Sequence, residues 1–156
     1  VIVYWVFRYL ETERNYDADA ILVTMSLAIV AMACGYFAGG AIGDALFKRM
    51  PRGRILTAIT GVILGAIILA VALNVPLENQ ALFSITLVLA AFFMPFSSAN
   101  VISSVYDITL PEVRSTALAV QYALESAGAA LAPALGGLIS VNASLKLAIL
   151  GISVSA

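Results

Sequence analysis

Three long runs without a charged residue, 20–43, 55–77 and 79–106, constrain this chain more than any other feature. Each meets or exceeds the roughly 20 apolar residues that a helix needs to cross about 30 Å of hydrocarbon. Inside a bilayer every backbone N–H and C=O must find its partner without water, and an α-helix achieves this within one segment. A soluble core could not absorb the runs, since 62% of the residues are hydrophobic, only 11% are charged and the mean hydropathy is +1.04. A fourth run, 115–141, is interrupted only by Glu125, and the apolar stretches 1–10 and 147–156 read as spans cut by the ends of the sequence. The expected fold is an all-α membrane protein with helices at about 1–10, 19–43, 55–74, 79–106, 111–141 and 146–156, the first and last truncated.

The sequence begins at Val1 inside apolar residues, with no initiator Met and no basic flank or cleavage site of a secretory signal, so the chain reads as a fragment. Its one cysteine, Cys34, lies inside a span and it has no histidine. A disulfide framework and a cysteine- or histidine-based metal centre are therefore not expected. Alternation of the spans places the loops near 11–19, 74–79 and 141–146 on one side and 44–54 and 107–114 on the other. Lys48, Arg49, Arg52, Arg54 and Arg114 fall on the second side, against Arg8, Arg14 and Lys146 on the first, where Glu11, Glu13, Asp17, Asp19 and Glu78 also lie. This basic bias predicts that the 44–54 and 107–114 loops are cytoplasmic. Tyr4, Trp5, Phe7 and Tyr9 around Arg8 have the composition of an interfacial aromatic belt with a snorkelling arginine, or of the outer mouth of a cavity.

Glycine spacing predicts how the spans pack. Gly35, Gly39 and Gly43 recur every four residues, as do Gly61 and Gly65, and Gly128, Ala132, Gly136 and Ser140. Such stripes let another helix backbone approach closely. Polar groups mark a second kind of position. Ser97, Asn100, Ser104 and Asp107 share one helical face just after Pro95, a residue that removes a backbone donor and kinks a helix. The face suits either a cavity lining or a buried structural stripe. Glu125 lies ten residues beyond Ser115, about 15 Å along the helix and so near mid-bilayer. Gln121 and Tyr122 precede it on the same face. An acid at that depth suits substrate binding, proton coupling or a permanent structural pairing. Thr109 and Glu112 have capping-box spacing and Pro111 fits a first helical turn, so the fifth helix is expected to begin before the membrane.

The segment GGAIGDALFKRMPRGRI, 39–55, resembles the signature of the major facilitator superfamily, a Gly-x-x-x-Asp segment followed by clustered bases. Gly40, Ile42, Gly43, Asp44, Lys48 and Arg49 carry the resemblance, with Ala45 where the family often has Arg and Phe47 where it often has Gly. LPEVRSTALAVQYALESAGAALAPALGG, 110–137, is similar to the loop and fifth helix of the family's carboxyl-terminal half, with Arg114 in its Pro-x-x-Arg start. The resemblance implies the carboxyl-terminal six-helix half of a secondary transporter across 1–156, which moves a small organic solute by alternating access against an absent amino-terminal half. It implies a gating motif of Gly40, Gly43, Asp44, Lys48, Arg49 and Arg114, with Asp44 facing a helix N-terminus of the other half. Lys48, Arg49, Arg52 and Arg54 would pair with Asp107 and Glu112 or lie near anionic headgroups. Substrate or coupling candidates are Glu125, Gln121, Tyr122, Asn100, Ser97 and Ser104.

The implied partners are the solute, the bilayer, the other half and protons as a candidate coupling ion. Cofactors, metals, catalytic residues and nucleic acid are not implied, and the location is the cell membrane. RMPRGRI and PEVRSTALAV are also similar to phrases of spinster-like and related organic-solute members, which implies a lipid or amphiphile as an alternative substrate. A non-transporting scaffold or receptor-like bundle would use the glycine stripes for packing alone. An intramembrane enzyme would need a nucleophile and base that converge at one depth, a poor fit to a chain without histidine.

Overall fold

The computed structural model describes the backbone of residues 2–142 and the side-chain surroundings of residues 6–131. Among the described residues there are six α-helices and no strand: α1 (Ile2–Thr12), α2 (Ala18–Phe47), α3 (Gly53–Asn74), α4 (Gln80–Phe93), α5 (Phe96–Ile108) and α6 (Arg114–Asn142). Helix α2, helix α3 and the α4–α5 pair are long and apolar enough to cross a membrane. The expected helix at 146–156 lies outside the described residues, as do the side chains of Tyr4, Trp5, Ala132, Pro133, Gly136 and Ser140.

Two helices outrun their uncharged segments. Helix α2 continues to Phe47, past Asp44, and α3 already starts at Gly53. Charge ends a hydrocarbon span, but a helix that leaves the bilayer can continue in water because its backbone is already paired. The tight turn is left to residues 48–52. The expected fourth span is two helices, as Pro95 foretold: without an N–H it cannot bond the carbonyl of Ala91, and α4 ends on the bond from Met94 N to Ala90 O.

The glycine stripes seat that break. A Cβ added at Gly35 would run into the backbone carbonyl of Phe92, one at Gly61 would run into Cβ of Phe96, and one at Gly39 would lie 2.8 Å from Cα and Cγ of Phe96. Glycines on α2 and α3 therefore admit the backbone and aromatic rings of the α4–α5 junction. Phe92, Phe93 and Phe96 pack edge-on or tilted, with ring centroids 5.2–5.6 Å apart. Gly128 differs, with nothing within 4 Å of its added Cβ.

At the end of the bundle that carries the 74–79 loop, α1 packs Val6, Tyr9 and Leu10 against Leu69, Leu73, Phe83 and Leu87. Tyr9 is fully buried there and does not join an interfacial belt; Phe7 and Arg8 are exposed. Arg14 is buried in the same cluster. Its Nη2 donates to Val75 O at 2.6 Å, Nε donates to the Tyr9 hydroxyl at 3.3 Å, and the guanidinium lies 3.8 Å from the Phe83 ring centroid. The positive charge thus caps the carbonyl end of α3, where the helix dipole is negative.

Candidate functional site

At the opposite end, the hairpin of α2 and α3 brings Asp44 and Arg54 together. Each is five residues from Arg49, so an antiparallel pair of helices sets them side by side. Arg54 Nε and Nη2 donate to Asp44 Oδ1 at 3.0 and 2.8 Å. Its Nη1 donates to Asp107 Oδ2 on α5 and, at 3.3 Å, to Ser103 O. The guanidinium also lies 4.4 Å from the ring centroid of Phe47. One cation therefore ties three helices through two carboxylates.

The strength of this tie follows from its exposure. Arg54 is 15% exposed at the side chain, but Asp44 and Asp107 are 57% and 36% exposed. Ion pairs with such access to water contribute about 0.2–1 kcal/mol each. That range is too small to hold the bundle together.

The polar face after Pro95 divides between two uses. Asn100 is 1% exposed, and its Nδ2 donates to Gly39 O at 2.9 Å and to Phe96 O at 2.8 Å. Ser104 Oγ donates to Asn100 O at 2.8 Å. Ser97, Asn100 and Ser104 also line a groove of about 460 Å³ between α3 and α5, whose other walls include Ile59, Val62 and Val101 and which reaches Arg54. Because the amide of Asn100 is committed to carbonyls, the groove presents a mainly apolar surface.

The remaining candidates lie elsewhere. Lys48 and Arg49 make no ion pair among the described residues and line a recess with Ile42, Ala45 and Leu46. Gly40 meets only the Cβ of Ala99, at 3.8 Å from an added Cβ. Arg114 places its guanidinium 5.5 Å from the Tyr106 ring centroid, and its Nε is buried without a hydrogen-bond partner among the described residues. Glu112 is exposed and unpaired among the described residues. The expected capping box is absent: Thr109 Oγ1 donates to Val105 O at 2.6 Å and so closes α5, while Pro111 opens a short 3-10 turn, Pro111–Val113.

On α6, Gln121 Nε2 donates to Glu125 Oε1 at 2.9 Å, with Tyr122 exposed beside them. The Gln121 carbonyl oxygen is buried without a partner among the described residues. Among the described residues α6 packs chiefly on α5 and the 3-10 turn, and no hydrogen bond links this cluster to Ser97, Asn100 or Ser104. The structure thus groups the sequence candidates into three places. Of the four bases expected to reach Asp107 or Glu112, it singles out Arg54 as the centre of the charge cluster, whereas the family pattern pointed to Lys48 and Arg49. Hairpin symmetry about the turn is the signal that would have selected it.

A family model described as Major Facilitator Superfamily matches residues 1–156. Searches among curated proteins and among solved structures returned no match.

Proposed function

Since this chain belongs to the major facilitator superfamily of membrane transporters, we propose that it is the carboxyl-terminal six-helix half of a secondary transporter that moves a small organic solute by alternating access. The Arg54 bridge between Asp44 and Asp107 carries the proposal, because it joins α2, α3 and α5 at one end by contacts weak enough to open. In this reading that end is cytoplasmic, in the cell membrane, and the bridge is a latch that favours one gate state. Asp44 uses Oδ1 for Arg54 within this chain, and its exposed carboxylate remains open to the helix N-terminus of the other half.

Glu125, held by Gln121, is the candidate for solute binding or proton coupling, with its surroundings completed by the amino-terminal half. Ser97 and Ser104 line the groove beside the latch. A lipid or amphiphile cargo rests on the two spinster-like phrases.

The test is Asp44→Asn and Arg54→Lys in the full-length transporter, reconstituted in vesicles. Lysine keeps the charge but cannot span two carboxylates in a planar fork. Both variants should insert normally, lose transport several-fold, and shift the inward/outward distribution measured by distance labelling. Unchanged transport together with an unchanged distribution would exclude the latch.

A further inference from the structure

Among the described glycines, Gly43 is the one whose added Cβ would have its three nearest neighbours in a single polar side-chain group. The three heavy atoms nearest to a Cβ added at Gly43 all belong to the Asn100 carboxamide: Oδ1, Cγ at 2.7 Å and Nδ2 at 3.1 Å. At Gly35 the three nearest are backbone atoms of Phe92, and at Gly39 they include Cα of Phe96. Gly43 is therefore a glycine on account of one side chain, whereas Gly35 is a glycine on account of a backbone.

That side chain is fixed from both directions. Nδ2 of Asn100 is held by Gly39 O on α2 and Phe96 O on its own helix, and the residue is 1% exposed. A buried amide with its donors satisfied is a rigid spacer, because release would leave its NH₂ unpaired in an apolar setting. The contact lies one residue before Asp44 on α2 and two turns before Asp107 on α5.

We infer that Asn100 is a positioning residue: its carboxamide, seated against Gly39 and Gly43, sets the separation and register of α2 and α5 so that Arg54 reaches Asp44 and Asp107 together. The inference deepens the latch reading above and rests on it for functional meaning, but it makes its own geometric claim. Alanine at 43 pushes α5 away from α2 and strands Asp107, whereas the Arg54–Asp44 pair within the hairpin survives. Truncation of Asn100 to alanine removes the three atoms nearest to the new methyl.

The test uses the full chain, with Cys34 replaced by serine and spin labels at the exposed positions Lys48 and Ile108. Gly43→Ala should lengthen or broaden the α2–α5 distance, and Gly43→Ala with Asn100→Ala should return it towards wild type. Gly35→Ala with Asn100→Ala should gain nothing over Gly35→Ala. A readout insensitive to general damage accompanies it: the thermal-stability coupling between Arg54→Gln and Asp107→Asn should vanish in Gly43→Ala and reappear in the double background. If Gly43→Ala does not accumulate, folded yield replaces distance, and the double variant should restore it.

A double variant no better than Gly43→Ala, or distances untouched by Gly43→Ala, would overturn the positioning role. If the distances and coupling behave as expected while Asp44→Asn transports normally, the latch fails and the spacer stands.

Discussion

Arg14 is the residue that composition could least have located. In sequence it is one base among the acids of the 11–19 loop, and a solvated charge is the ordinary expectation. In the fold it is 2% exposed, donates to Val75 O at 2.6 Å and packs on Phe83. No carboxylate forms an ion pair with it among the described residues. Helix-end carbonyls and an aromatic face take that role. Methionine there would keep much of the volume but leave buried carbonyls without a charged donor, an interaction that stabilises by about 1.5–3 kcal/mol. Arg14→Met should therefore lower thermal stability in detergent by about 2 kcal/mol, and Arg8→Met, at an exposed site, by less than about 0.5 kcal/mol. Equal effects would show that the cap contributes nothing. Tyr9 and Arg14 were illegible for the same reason: their burial depends on α1 meeting α3 and α4, a long-range contact with no local signature.

At the scale of the element, span positions were legible because charge exclusion from hydrocarbon is a local property. Helix ends were less so, since α2 and α3 continue into water where no run of apolar residues reports them. Pro95 was readable as a break, and the glycine stripes as contact faces. The atoms they would meet were not readable. That distinction makes a prediction within one stripe. Gly35 faces the backbone of Phe92, which no rotamer change can relieve, whereas Gly40 has only ordinary contact with Ala99. Gly35→Ala should destabilise the bundle by about 1–3 kcal/mol, as overpacking does. Gly40→Ala should be neutral or stabilise by up to about 1 kcal/mol through helix propensity, measured by unfolding in detergent. If Gly40→Ala harmed stability equally, the packing described for α2 would be wrong. If it harmed transport alone, the motif glycine would serve a surface outside the described residues.

For the whole molecule, the exterior is apolar by design of its solvent: Leu22, Val23, Ile29, Val30 and Phe37 of α2 are all more than half exposed. Coupling belongs to this scale, because among the described residues α6 packs chiefly on α5 and the 3-10 turn, and Glu125 is bonded only to Gln121. Glu125→Gln keeps shape and removes titration. As a proton carrier, Glu125 predicts that the variant loses uptake driven by a pH gradient yet retains solute-for-solute exchange. Affinity lost in both assays would mark a binding role, and wild-type behaviour in both would return the acid to structure. The contact between Gly43 and Asn100 has a consequence on another timescale. A lineage that carries alanine at 43 is reached with least strain in one order: Asn100 shrinks first, and the methyl then fills the space it leaves. The reverse order passes through a strained intermediate with α5 displaced, so descent should favour that sequence of changes and a random library should show alanine at 43 enriched on backgrounds already altered at 100.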